Sequence, residues 1–105
     1  MPGVDINYFI RQANKLTEKI EQRKKELADE MLEGKAGDGL VTAVANGIQE
    51  IKSIKIDPKA IDPSDPAMLE DLVTAAVNAA LTQSKDHMQR ELAKVSGGVK
   101  IPGIT

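Results

Sequence analysis

The stretch GKAGDGLVTAVANGIQEIKSIKIDP, Gly34 to Pro58, is the only part of the chain with the grammar of a β-sheet. A helical pattern flanks it on each side. Asn46-Gly47 separates a run ending Val44-Ala45 from one starting Ile48. Asn-Gly accepts the positive φ of a two-residue type I′ turn, so the dipeptide predicts a hairpin. A tight turn there pairs Ala45 with Ile48, Thr42 with Ile51 and Val41 with Lys52. In that register neither face is cleanly apolar. Ile54 and Ile56 share a face, while Ile51 points away unless a bulge intervenes. Either the strand is bulged or both faces of the sheet are covered. We take the second reading as the expectation, because of the size of the chain.

With 105 residues the chain has room for one domain, 1–105. A chain of that size buries about two-thirds of its surface on folding. Tyr8 and Phe9 are the only aromatics, Trp is absent, and much of the apolar content is alanine. A single copy is therefore poor in core, and symmetric self-association is the commonest remedy, so a homodimer is expected. The absence of cysteine excludes disulfides, thiol chemistry and cysteine-ligated metal. MPGVDINYF has neither the basic start nor the apolar run of a signal peptide, and nothing approaches a membrane span. A soluble, cytoplasmic protein is expected, with no membrane partner. The net charge of −2 argues against wholesale coating of nucleic acid, so a DNA role must come from local charge patterning.

Asp5 caps a predicted helix at about 6–29, whose apolar residues Ile6, Phe9, Ile10, Ala13, Leu16, Ile20 and Leu27 recur at three- and four-residue spacing. Such a helix is roughly 36 Å long, against about 20 Å for a six-residue strand, so one end must overhang the sheet. On its polar side Arg11, Lys15, Lys19 and Arg23 fall at four-residue intervals, with Lys24 and Lys25 adjoining. Four-residue spacing lays these cations along one ridge. The plain reading is a solvated face balanced by Glu18, Glu21 and Glu26; the sharper one is an edge that contacts phosphates.

Strands are predicted at about 30–36, 39–45 and 48–57. The glycines between the first two form no phosphate loop: Ala36 follows Gly34-Lys35 where Ser or Thr is needed, and Gly37-x-Gly39 lacks a third glycine. Asp57-Pro58 ends the sheet, and Asp62-Pro63-Ser64-Asp65-Pro66 is a rigid acidic connector. Its carboxylates lack the spacing of an EF-hand loop, and capping accounts for them. Asp65 as N-cap, Pro66 at the first position and Glu70-Asp71 near the positive dipole end start a second helix, 66–95. Its alanine-rich first half permits close backbone approach to the sheet or to another helix. Its second half, Thr82 to Lys94, is more polar and is expected to project, carrying Lys85, Arg90 and Lys94. Gly97-Gly98 ends it, and 96–105 reads as a mobile tail.

No residues assemble into a catalytic or metal set. His87 is the only histidine, has no partners at ligand or triad spacing, and reads as a surface residue. Glu70 and Asp71 point apart around a helix. Tyr8 and Phe9, near a helix start, read as core rather than as stacking platforms for single strands. Enzymatic activity, cofactors and a small-molecule substrate are not expected.

In order along the chain, Gly34-x-Ala36-Gly37-x-Gly39-Leu40-Val41, Asn46-Gly47, Ile54-x-Ile56-Asp57-Pro58, Met68-Leu69-Glu70-Asp71-Leu72-Val73 with Ala75-Ala76 and Asn78, and Val95-Ser96-x-Gly98 resemble the YbaB/EbfC family of bacterial nucleoid-associated proteins. The resemblance covers roughly residues 7 to 102. It implies an α+β subunit of order α-β-β-β-α, with a three-stranded antiparallel sheet between two long helices. It also implies an intertwined, tweezer-like homodimer that binds double-stranded DNA in the nucleoid without enzymatic activity. The chain departs from the family in a shortened leader, Met1-Pro2-Gly3, and in Leu81-Thr82 where members often carry a basic pair. That departure moves the expected contact to the first helix: Arg11, Lys15, Lys19 and Arg23, with Lys24, Lys25, Lys85, Arg90 and Lys94 as lesser contributors. The rival expectation is an adaptor dimer that holds another protein, favoured by the acidic net charge and by Leu81.

Overall fold

The computed structural model describes residues 5–97. Helix α1 (Ile6–Leu27) leads into strands β1 (Met31–Ala36), β2 (Val41–Asn46) and β3 (Ile51–Ile56). A 3-10 turn at Pro58–Ala60 then precedes helix α2 (Pro66–Val95). The fold is α+β, of order α-β-β-β-α, with an antiparallel sheet in the order β1-β2-β3. The Asp5 carboxylate accepts the Asn7 and Tyr8 backbone N–H groups, and Asp65 accepts that of Met68. Both helices thus start on a short acidic cap. At the far end of α2, Gly97 takes a φ of +67° and donates to the Lys94 carbonyl. Residues 98–105, most of the predicted tail, lie outside the described residues.

The core lies between α2 and one face of the sheet. Val41, Ala43 and Ala45 of β2 are buried against Ala76 and Ala80 of α2, flanked by Ala36, Ile56, Leu69, Leu72, Val73 and Val77. Small residues on both sides bring the backbones very close. A Cβ on Gly34 would stand 2.2 Å from the Ala80 nitrogen and 2.4 Å from the Ala76 oxygen. The alanine-rich half of α2 therefore packs directly on main chain.

The β2–β3 connection corrects the predicted hairpin. Asn46 is the last residue of β2 rather than a turn residue, and Ala45 pairs with Ile51, not Ile48. Val41 pairs with Ile56, not Lys52. The reason is what Asn46 does with its side chain. Its Oδ1 accepts the backbone N–H groups of Ile48 and Glu50, while its Nδ2 donates to the Ala28 carbonyl and to Glu50 Oε1. An Asn used this way shapes a wider loop from inside. Positive φ falls instead on Gln49, at +65°. Gly47 donates to the Leu27 carbonyl at 2.8 Å, and a Cβ there would lie 2.6 Å from the same oxygen.

A bulge shifts the register between Val44 and Ala45, which resolves the apolar mismatch without a second cover. Ile51, Ile54 and Ile56 now partner Ala45, Ala43 and Val41, all on the α2 side. Within one chain α2 covers that face only in part, since Ile51 and Ile54 remain 37% and 44% exposed. The opposite face, with Glu33, Lys35, Thr42, Ser53 and Lys55, has no helix over it among the described residues and is mostly polar.

Candidate nucleic-acid interface

The molecule measures 75 × 20 × 16 Å with a radius of gyration of 19.8 Å. A compact chain of this length would have a radius near 13 Å. The excess comes from the helices leaving the sheet. Ser84 marks the point of departure on α2: its hydroxyl donates to the Asn46 carbonyl at 2.6 Å and accepts the Gln49 N–H at 2.9 Å.

Beyond Ser84 the second half of α2 does not project alone, as its polarity suggested. It lies beside the C-terminal half of α1, where Leu27 and Leu92 are buried and His87, Met88, Glu91 and Val95 are half-buried. The apolar stripe on this part of α2 is too sparse to reveal a partner, because ion pairs do much of the joining. Arg23 Nη1 lies 2.6 Å from Glu30 Oε2, and Nη2 lies 2.8 Å from Glu91 Oε1. His87 Nε2 is 2.8 Å from Glu30 Oε1, and Lys94 Nζ donates to Glu91 Oε2 at 2.6 Å. His87, expected on the surface, is thus a half-buried member of this cluster. The Arg23 guanidinium, followed by His87, holds the Glu30 carboxyl below its ordinary value. Lys94 and then Arg23 bring that of Glu91 down to about 2. Both carboxylates are charged at neutral pH.

Past the end of α2, α1 continues alone. Residues 6–15 are exposed at every position. Tyr8 and Phe9, expected in the core, meet edge to face at 5.7 Å and stay exposed, together with Ile6 and Ile10. No other described element reaches that far, so among the described residues their apolar face finds no cover.

The structure sorts the nominated cations. Arg11, Lys15 and Lys19 are exposed on the part of α1 approaching and passing the end of α2. Lys15, Lys19 and Arg23 border one open hollow of about 670 Å³, together with Glu18, Glu26 and Val95. Lys25, Lys85 and Arg90 are exposed, Lys24 is half-buried, and Lys94 is exposed but paired with Glu91. Arg23 is committed to carboxylates, with its side chain 19% exposed. The sequence reading passed over Lys35, Lys52 and Lys55 on the sheet, all exposed. Lys35 and Lys55 flank Thr42 in one cross-strand row, a pattern that appears only once the register is known.

The α-β-β-β-α order with two long helices has counterparts among known proteins. Residues 1–99 match the profile of the YbaB/EbfC DNA-binding family. The chain belongs to that family. A nucleoid-associated protein of Myxococcus xanthus (strain DK1622) is 79% identical over 105 residues, all of both chains. A nucleoid-associated protein of Anaeromyxobacter dehalogenans (strain 2CP-C) is 48% identical over 101 residues, 96% of this chain and 98% of its own. The crystal structure of an uncharacterized Helicobacter pylori protein matches with a TM-score of 0.78, over 90% of this chain and 99% of that one. At 19% identity, that is a likeness of fold alone. This YbaB/EbfC member has no helix, among its described residues, long and apolar enough to cross a membrane. Nor do those residues include a group of three or more His, Cys, Asp or Glu placed for a metal ion.

Proposed function

We propose that this protein is a nucleoid-associated homodimer that holds duplex DNA between projecting helical arms, mainly through phosphate contacts. The observation that carries the reading is the exposed row Arg11, Lys15 and Lys19 on the part of α1 that approaches and passes the end of α2. Lys24, Lys25, Lys85, Arg90 and Lys94 contribute at longer range. Dimerisation is supported by the apolar residues left open on β3, Ile51 and Ile54. Burying them against a second copy would give two arms, one on each side of a shared centre. Phosphate contacts position without reading bases, so sequence preference is weak, and the role is organisation of the nucleoid or regulation of genes within it. No catalytic step is assigned.

The test is binding to random-sequence duplex across a salt series. Each phosphate neutralised contributes about −0.9 to the slope of log K against log salt. The double substitution Lys15→Glu with Lys19→Glu should abolish retardation in a gel at low salt. An affinity indifferent to salt, or one that survives that pair of substitutions, overturns the placement.

A second reading is favoured by one observation. Ile6, Tyr8, Phe9 and Ile10 form an exposed apolar tip on α1, which fits an adaptor that holds another protein and no DNA. Under it the wild-type protein retards no duplex at any concentration.

A further inference from the structure

We propose that Arg23 is a positioning residue for duplex binding, one that pins the α1 arm at a set angle to α2 instead of contacting phosphate. This rests on the duplex-holding reading above and changes the role of one of its nominated cations. Arg23 stands one turn before the end of α1, and its guanidinium joins three parts of the chain. Glu26 lies on α1, Glu30 in the connection to β1, and Glu91 on α2. Nη1 approaches Glu30 Oε2 at 2.6 Å and Glu26 Oε1 at 3.3 Å. Nη2 approaches Glu91 Oε1 at 2.8 Å and Glu30 Oε1 at 3.3 Å. The carboxylates are themselves held, Glu30 by His87 and Glu91 by Lys94. A planar fork can span two carboxylates in fixed directions, which a lysine ammonium cannot. A phosphate reaching Arg23 would have to displace Glu30 and Glu91, and Glu26 with them. Meanwhile the exposed cations lie farther along the same helix. Arg11 is about 18 Å from Arg23 at 1.5 Å per residue, so about 10° of play at the pin moves it by about 3 Å. That displacement exceeds the range over which a hydrogen bond to one phosphate oxygen survives.

Glu91→Gln, made in a Lys94→Gln background because Glu91 also holds Lys94, separates the two roles by the sign of its effect. If Arg23 pins the arm, losing this anchor weakens duplex binding severalfold although a negative charge has been removed. If Arg23 is a phosphate contact, the same substitution frees it and binding tightens, which overturns the proposal. Arg23→Gln should weaken binding about tenfold while leaving the salt slope unchanged. A slope shallower by about 0.9 would instead mark a lost phosphate contact and overturn the proposal. Arg23→Lys keeps the charge without the fork and should fail to rescue; full rescue overturns the pin.

The chain has no cysteine, so spin labels on Gln12→Cys and Gln83→Cys, diluted with unlabelled protein, report the arm angle without DNA. The label distance should be narrow in the wild type and broad in Arg23→Gln, with an unchanged circular dichroism spectrum showing both folded. An equally narrow distribution in the variant overturns the pin. If the wild type binds no duplex, the functional reading falls and the role in binding with it. The label distance still decides whether Arg23 sets the arm.

Discussion

Gly34 and Ser84 show how single residues set the distance between α2 and the sheet. At Gly34 the nearest atoms to an added Cβ are α2 backbone, which cannot swing aside like a side chain. Gly34→Ala should therefore cost about 3 kcal/mol. In urea the unfolding midpoint would fall with little change in slope, whereas an unshifted midpoint would mean that α2 stands farther off. Ser84 ties α2 to the β2–β3 loop through both its donor and its acceptor. Ser84→Ala removes the 2.6 Å donor to the Asn46 carbonyl and the 2.9 Å acceptor of the Gln49 N–H, and leaves these two groups their longer 3.3 Å bond to each other. It should cost about 1 kcal/mol. Hydrogen exchange at the Gln49 amide should quicken first, and an unaltered rate there would contradict the bridge.

Between elements, the joint of α1 and α2 is ionic as well as apolar, and this gives it a pH dependence. The Glu91 carboxyl, held by Lys94 and Arg23, is drawn down to about 2 from the ordinary 4.5, and Glu30 is also lowered. A depressed carboxyl stabilises the fold fully above the unfolded value and loses that contribution as pH falls through the folded one. The thermal midpoint should hold from neutral pH to near pH 4.5 and decline between there and about pH 2. Glu91→Gln removes one of the two groups, so its midpoint should start lower and decline less. A variant curve parallel to the wild type through that window would show that Glu91 is not coupled to folding.

For the whole molecule, the chain covers its sheet on one side and incompletely even there. Ile51 and Ile54 remain exposed on the α2 side of the sheet, and the α1 tip adds Ile6, Phe9 and Ile10. A second copy is the simplest cover for the first group. Light scattering should give a mass twice the 11.3 kDa of one chain. Ile54→Lys should lower it towards 11.3 kDa and weaken duplex binding through the loss of the opposing arm. A wild-type monomer, or an Ile54→Lys protein still of double mass, would remove β3 as the interface.

Residue order alone determined the α-β-β-β-α order, the Asp5 and Asp65 caps and the alanine-rich contact half of α2, because helix periodicity, capping and side-chain size act locally. The cations were legible as a four-residue row for the same reason. The tertiary structure decided which of them are free. Arg23 shares its spacing with Lys15 and Lys19, yet only its position opposite Glu91, sixty-eight residues away, commits it to carboxylates. It also decided the register: Asn46 could serve a tight turn or brace a wider loop, and contacts with Ala28 and Ser84 chose the second. Tyr8 and Phe9 have the pattern of core residues, but whether another element comes near enough to bury them depends on where two helices end in space. Local chemistry specifies what a segment can do; the neighbours that folding brings to it select what it does.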